Sequence, residues 1–141
     1  MFLSENSAVK LTRRSEYALL ALLHLARAKG DGYVAVAAIA ESQGLPPQFL
    51  EQLLMALKRA RLVKSQKGPH GGYRLARPAE KISLAEVIRL LDGALAPTES
   101  VSTYFYEPTP VEREKRLLRV FKEIRDHVSA RLEKTTLADV R

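Results

Sequence analysis

The chain has 141 residues, 46% hydrophobic and 28% charged, which suits one domain, or one domain with an extension, and excludes disorder by composition. Its formal net charge of +7 and pI of about 9.9 favour a polyanionic partner, usually nucleic acid, although the same balance also serves simple solubility. The absence of cysteine excludes disulfides, zinc–thiolate sites, thiolate nucleophiles and all-cysteine iron–sulfur clusters.

The N-terminal stretch is short and polar and lacks the apolar core of a signal peptide. No apolar run approaches the roughly 20 residues that a membrane span needs. We therefore expect a flexible arm at residues 1–10 and a soluble, cytoplasmic protein that does not enter a membrane.

The first half of the chain is predicted to be mainly helical. A helix that Thr12 can cap runs to about residue 29. It is apolar around most of its circumference, as is typical of a central core helix. Residues 34–36 could form a short strand, and a brief helix is expected over residues 37–43. Gly44 closes that helix in the C-cap position, where a positive φ costs glycine little.

A third helix begins at Pro47, since proline is tolerated in the first turn, and runs to about Ala60. Its leucines recur at helical spacing and form a predicted buried stripe: Leu50, Leu53, Leu54 and Leu57. Polar residues lie off that stripe and are left for solvent or a ligand: Gln48, Glu51, Gln52 and Lys58.

Two short strands follow, over residues 62–66 and 73–76, joined by the glycine-rich tip at residues 67–72. Ser83 with Glu86 three residues later forms a capping-box pattern that starts another helix, which Asp92-Gly93 ends. Residues 93–110 form a long irregular connection, and a connection of that length is usually functional or disordered.

From residue 111 to about 134 the pattern is helical again, with an apolar stripe surrounded by charge. The stripe consists of Leu117, Phe121, Ile124, Val128 and Leu132. It packs either on its own domain or on a copy of itself, and we favour a homodimer because the preceding domain already has a core. Thr135 or Thr136 can cap a final short turn, Leu137 to Val140.

The order helix, short helix, turn, helix, hairpin is that of a winged helix-turn-helix. In this arrangement the helix from Pro47 lies in the major groove of double-stranded DNA and its N-terminal residues reach base edges. Seven basic residues and no acidic one lie between Lys58 and Arg77. The imbalance indicates a phosphate-contact surface, the alternative being a solvated basic face.

The chain also resembles a known family. Leu11 to Leu19 (LTRRSEYAL), Phe49 to Leu54 (FLEQLL), the wing sequence from Lys67 to Pro78 (KGPHGGYRLARP) and the ending Thr135 to Val140 (TTLADV) are similar to the Rrf family of winged-helix transcriptional regulators. The resemblance covers residues 10–140. It implies a mainly α fold with a small two-stranded wing and a C-terminal dimerisation helix.

By this resemblance, Gln48 and Glu51 on the recognition helix and Lys67 on the wing read DNA. Lys67 stands where the family often has arginine, and it lacks the planar fork that reads a base bidentately. The whole candidate DNA-binding set comprises Pro47, Gln48, Glu51, Gln52, Lys58, Lys64, Lys67, Gly68, His70, Gly71, Gly72 and Arg74. We expect a DNA-binding domain at residues 11–92, followed by a linker and dimerisation helix at residues 93–141.

Cluster-binding members of the family carry cysteines around the loop before the long helix, and this chain has none, so we expect no iron–sulfur cluster and no metal. Glu16, where some members have a carboxylate ligand, is interpreted as a surface residue. The loop at residues 92–97 resembles that of a cysteine-metabolism repressor, whose partner is a cysteine synthase. The same partner is one hypothesis here. A small-molecule effector in a pocket walled by Tyr104, Phe105 and Tyr106 is the other, unless these aromatics pack on the dimer helix.

Other functions remain less favoured. The histidines, His24, His70 and His127, are scattered without metal-ligand spacing, and the chain has no phosphate loop, nucleophile elbow or zinc-helix motif, so we expect no enzyme. A protein-binding regulatory adaptor would lack the steep salt dependence of DNA binding. A non-specific nucleic-acid binder would share that dependence but show no preferred site.

Overall fold

The structure is a computed structural model that describes residues 11–141. The arm predicted at residues 1–10 lies outside the described residues. The described chain falls into two compact units. We call Glu16–Ile82 with Thr136–Arg141 the hairpin unit, and Ser83–Thr135 with residues 11–15 the long-helix unit. The predicted domain boundary at residue 92 stays a prediction, because a compact unit and a functional domain are defined differently.

The described elements follow the predicted order. The helices are α1 (Arg13–Arg27), α2 (Val36–Gln43), α3 (Pro47–Arg59), α4 (Leu84–Asp92), α5 (Lys115–Lys134) and α6 (Leu137–Val140). The strands are β1 (Val63–Gln66) and β2 (Gly72–Leu75). The prediction of a mainly helical protein with one small hairpin is therefore confirmed for the described residues.

The core of the hairpin unit is built by three helices. α1 buries Ala18, Ala21, Leu22 and Leu25, which share one side at helical spacing. Gly44 ends α2 at a φ of 66°, in the left-handed conformation predicted for it. α3 then buries Leu50, Leu53, Leu54 and Leu57, the predicted stripe.

The hairpin pairs in an antiparallel register that runs from Val63 opposite Leu75 to Gln66 opposite Gly72. It is attached to the segment before α2 because the amide of Val34 donates to Tyr73 O and the amide of Tyr73 donates to Val34 O, both at 2.8 Å. The strand expected at residues 34–36 is thus reduced to a single bridge at Val34. It stops there because Val36 already begins α2.

Glycine is required where the hairpin meets Val34. Gly72 has a φ of 146°, and a Cβ atom at this position would lie 2.1 Å from Val34 O. Val34 O accepts the hydrogen bond from the Tyr73 amide, and Gly72 is paired with Gln66 in the hairpin, so neither backbone segment can move away without disturbing these pairings.

The end of the chain completes the hairpin unit. The amide of Leu137 donates to Ile82 O at 2.9 Å, and the Leu137 side chain is fully buried. Of the two threonines that the sequence offered as the cap, Thr136 caps α6, in a capping box with Asp139. An ion pair at 3.3 Å joins Arg141 to Glu80.

In the long-helix unit, the Ser83 hydroxyl accepts from the amide of Glu86 at 3.1 Å and so caps α4 as predicted. Asp92, the last residue of α4, is buried and accepts from the amide of Thr12 at 3.0 Å and from its hydroxyl. α5 begins four residues later than predicted, because Pro110–Arg113 forms a 3-10 turn in place of the first helical turn.

We predict that Gly72→Ala lowers the free energy of unfolding by about 2–3 kcal/mol, from backbone strain and loss of the bridge to Val34. The matched control is Gly32→Ala. Gly32 has no atom within 4 Å of the added Cβ, so its change should stay within about 0.5 kcal/mol. Urea denaturation followed by circular dichroism measures both, and equal stability of the two variants would contradict this account of the wing base.

Candidate nucleic-acid interface

The side of α3 opposite its buried stripe is exposed and polar. The side chains exposed there are Gln48, Glu51, Gln52, Met55, Lys58 and Arg59. They recur at spacings of three and four residues, so they share one face of the helix. The four of these residues that the sequence singled out, Gln48, Glu51, Gln52 and Lys58, all lie on this face.

The N-terminus of α3 is held in place and left open for a ligand. The ring of Phe49 packs edge-on against Tyr17 of α1 at 5.5 Å between centroids. Pro46 precedes the helix and supplies no side-chain cap, so amides of the first turn remain available to an external acceptor.

A groove of about 580 Å³ separates the exposed face of α3 from the hairpin. Its α3 wall is formed by Glu51, Met55, Lys58 and Arg59, and its hairpin wall by Ser65, Gln66, Lys67, Gly72 and Tyr73. The structure thus brings together Glu51, Lys58, Lys67 and Gly72, which belong to two segments of the candidate set.

Tyr73 forms the buried part of this groove. Burial, and secondarily the negative charge of Glu51, raises the pKa of the Tyr73 phenol. The negative charge of Glu51 is therefore felt in this part of the groove.

Several groove residues were missed by the sequence argument, above all Met55 and Gln66. Met55 was missed because its apolar side chain suggests a core residue, yet it is 48% exposed. Its position four residues after Glu51 was the available signal, since that spacing puts it on the same helical face.

The wing tip is exposed from Lys67 to His70. Gly68 adopts a φ of 106°, and the amide of Gly71 donates to Gly68 O at 3.0 Å, which closes the tight turn. A Cβ atom on Gly71 would lie 2.1 Å from Gln66 O. The glycines are therefore required by the hairpin itself, whatever the wing contacts.

Lys64 and Arg74 are not part of the groove. They are cross-strand partners, and each directly neighbours a groove residue in its own strand, Ser65 or Tyr73. Because neighbouring side chains of a strand point to opposite faces, Lys64 and Arg74 point to the other face of the hairpin. Arg74 donates to Asp31 O and lies over the ring of Tyr33 at 4.7 Å. The candidate set therefore divides between two faces of the wing.

Arg61 links α3 to the wing in an unusual conformation. Its φ is 64°, and no other non-glycine residue in the range 11–141 has a positive φ. Its amide donates to Lys58 O at 2.9 Å, and the amide of Leu62 donates to Leu57 O at the same distance. This turn ends α3 and sets the start of β1.

The apolar stripe of α5 is largely uncovered within the described chain. Leu117 and Ile124 are 44% and 40% exposed, and Val120, which the sequence argument missed, is 49% exposed. Phe121, Val128 and Leu132 are half-buried, and no residue of α5 is fully buried.

The aromatic cluster Tyr104, Phe105 and Tyr106 is exposed. Arg89 lies over the ring of Tyr104 at 4.8 Å, and the Tyr106 hydroxyl donates to Glu112. The cleft beside Tyr104 and Phe105, which Leu95 and Ser129 also line, has no room for a water molecule. The described chain thus provides no ready-made effector cavity at this cleft.

Metal ligands are sparse. In residues 11–141, no three His, Asp or Glu side chains lie close enough together to hold a metal ion, and the chain has no cysteine. Glu16 is exposed on α1, as expected. Among the same residues, no helix is long and apolar enough to cross a membrane.

Helices α1–α3, the wing and the exposed polar face of α3 together define a winged helix-turn-helix regulator. A family model described as "Rrf2: Iron-dependent Transcriptional regulator" matches residues 11–141. The chain belongs to the Rrf2 family of transcriptional regulators.

Named relatives agree with this assignment. The chain is 33% identical to the HTH-type transcriptional regulator CymR of Bacillus subtilis over 132 residues, covering 94% of this chain and 89% of CymR. It is 31% identical to the HTH-type transcriptional regulator IscR of Cereibacter sphaeroides over 134 residues, covering 94% and 86%. The solved structure of CymR, the global cysteine regulator of B. subtilis, matches with a TM-score of 0.75 over 93% of this chain and 95% of that one.

We predict that Arg61→Gly is more stable than Arg61→Ala by about 1 kcal/mol, because only glycine adopts a positive φ without strain. Both variants lose the same charge, so they should bind DNA equally. Denaturant titrations measure the first quantity and fluorescence anisotropy with labelled DNA the second. Equal stabilities would show that the turn is not strained.

Proposed function

We propose that this chain binds double-stranded DNA sequence-specifically as a homodimer and represses transcription without an iron–sulfur cluster. The main support for the proposal is the groove between α3 and the wing, which is lined by the cationic side chains of Lys58, Arg59 and Lys67. A dimer that occupies a promoter excludes the polymerase, so repression requires no further activity of the protein.

The groove matches the shape of a duplex bound in this way. When α3 enters a major groove and the wing enters the neighbouring minor groove, the phosphate backbone that separates the two grooves runs between them. Lys58, Arg59 and Lys67 line that path and supply the positive charge that phosphates require.

The exposed N-terminal half of α3 supplies the base-reading groups. A glutamine side chain pairs bidentately with adenine N6 and N7, and a carboxylate accepts from cytosine N4. We therefore assign Gln48 and Gln52 to adenine contacts and Glu51 to a cytosine contact.

The apolar stripe of α5 supports the homodimer. A second copy of the stripe would cover Leu117, Val120 and Ile124, which the described chain leaves exposed. Two-fold pairing of this kind presents two recognition helices to half-sites about 34–36 Å apart, one turn of DNA.

The donor set does not fit an iron–sulfur cluster, whose iron atoms require thiolate ligands, mostly from cysteine. We therefore infer that DNA binding by this chain is regulated by something other than an iron–sulfur cluster. The exposed aromatic cluster Tyr104, Phe105 and Tyr106 favours a protein partner, and a cysteine synthase is the partner we propose, since the similar CymR is named as a cysteine regulator. A pull-down with and without O-acetylserine tests this, with Tyr104→Ala as the interface variant, and no capture would overturn it.

The test of the main proposal is a mobility-shift titration against the DNA upstream of the protein's own gene, with random DNA as competitor. A retarded band that survives the competitor supports site-specific binding. The affinity should also fall about 10³–10⁵-fold between 50 and 200 mM salt if about 6–10 phosphates are contacted. A complex that any DNA displaces equally would identify a non-specific binder, and an absence of salt dependence would identify a protein adaptor.

We predict that Gln48→Ala reduces affinity for the preferred site by about 1–3 kcal/mol and relaxes the preference at one base pair. Lys58→Ala removes a phosphate contact and should instead weaken binding to all sequences similarly. Anisotropy titrations over a set of single-base variants of the site compare the two. A uniform loss with Gln48→Ala would refute the base contact.

We predict that Ile124→Asp dissociates the homodimer, because it places a carboxylate in the centre of an apolar interface. Ile124 is exposed in the described chain, so the substitution should leave the protomer folded. Lys122→Asp is the matched control outside the stripe and should remain dimeric. Multi-angle light scattering gives the masses, and a dimeric Ile124→Asp variant would refute the α5 interface.

A further inference from the structure

The hairpin has a second cavity on the face that carries Lys64 and Arg74. Its volume is about 380 Å³, which lies in the range of small-molecule sites. It is bounded by the end of α1, the Gly30–Gly32 turn, the two strands and the residues that follow β2. All of these belong to the hairpin unit.

The cavity is lined by four basic side chains and a single carboxylate. The basic residues are Lys64, Arg74, Arg77 and Arg141, and the carboxylate belongs to Asp31. Arg141 is already paired with Glu80 at 3.3 Å. Within residues 11–141, no carboxylate lies within ion-pair distance of Lys64 or Arg74.

Lys64 and Arg74 are direct cross-strand partners. Like charges in that position repel each other and destabilise a hairpin unless a counter-charge lies between them. The cavity that both side chains line is where such a counter-charge would bind.

Arg74 is pre-oriented for a ligand and lacks one acceptor. Its guanidinium is fixed by the carbonyl of Asp31 and by the ring of Tyr33. Its Nε atom is buried and has no hydrogen-bond partner among the described residues. Because this Nε atom is shielded, an anionic oxygen in the cavity would instead reach the terminal nitrogens of the guanidinium.

The rest of the lining includes apolar side chains, from Ala28, Val34, Leu75, Ala76 and Pro78. It provides surface for a carbon body, which a bare inorganic ion does not have. We propose that this cavity is a binding site for a compact organic anion with a phosphate or carboxylate group, held by Lys64 and Arg74. The site is independent of whether the α3 groove binds DNA.

A phosphate of bound DNA is the rival occupant. The groove that accommodates the backbone in the proposed DNA complex is lined by Ser65 and Tyr73, on the opposite face of the strands. Arg74 turns instead toward the Gly30–Gly32 turn, where it is partly enclosed. The geometry therefore favours a small ligand over a duplex.

The test is calorimetric titration of the full chain, without DNA, using glycerol 3-phosphate, succinate and inorganic phosphate as separate probes. Saturable binding of either organic anion, tighter than that of inorganic phosphate, is expected. The stronger of the two identifies the anionic group. In parallel, the ¹⁵N-labelled side-chain Nε–H resonance of Arg74 should shift on titration, because an anion bound to the same guanidinium changes its electronic environment.

Lys64→Gln and Arg74→Gln should each weaken binding about tenfold, the loss expected for one charge-assisted hydrogen bond. Lys64 is exposed, so Lys64→Gln keeps the test valid if Arg74→Gln perturbs the wing. The control is Lys81→Gln, which removes an exposed charge from the same unit outside the cavity and should leave binding unchanged.

Three results would overturn the proposal. No saturable binding of either organic anion would show that the cavity has no such ligand. If Lys81→Gln weakened anion binding as much as the cavity variants do, the anions would be responding to the general positive charge of the surface and not to this cavity. A shift of the Arg74 Nε–H resonance with duplex DNA but with none of the small anions would assign Lys64 and Arg74 to the phosphate backbone.

Discussion

The pair of hydrogen bonds between Val34 and Tyr73 is the contact on which the α3–wing geometry depends. It anchors β2 to the segment before α2, while the turn at Arg61 connects β1 to α3. The hairpin is therefore held at both strands rather than being a free two-stranded ribbon, which is only marginally stable alone. Gly72 permits this contact because any side chain would strike Val34 O. A wing fixed in this way can form one wall of a groove of defined width.

Strand alternation then gives the wing two chemically different faces. Ser65 and Tyr73 face the groove with α3, which Lys58, Arg59 and Lys67 also line, whereas Lys64 and Arg74 face the second cavity. A basic run that looks uniform in the sequence is therefore divided between two surfaces. The physical cause is the two-residue period of a strand, which sends neighbouring side chains in opposite directions. The proposed DNA backbone and the proposed small anion therefore use opposite faces of the wing.

The long-helix unit follows a different principle, because its longest helix buries no residue completely. α4 is fixed by its Ser83 cap and by the buried carboxylate of Asp92, which accepts two hydrogen bonds from Thr12. α5, in contrast, keeps Leu117, Val120 and Ile124 exposed. In a member of the Rrf2 family that has no cysteine, the unit therefore offers apolar and aromatic surface rather than thiolate ligands.

The sequence alone determined the order of the elements, because these signals are local. The leucine stripe of α3, Gly44 at the end of α2 and the Ser83 cap each act within a few residues, and each was predicted and is confirmed. The dimer and the DNA contacts stay predictions. Tertiary structure alone decided that residues 34–36 contribute one bridge, that the hairpin lies across a groove from α3, and that Arg74 belongs to another face than Lys67. These features depend on pairing between segments far apart in the chain, and no local periodicity encodes which segments pair.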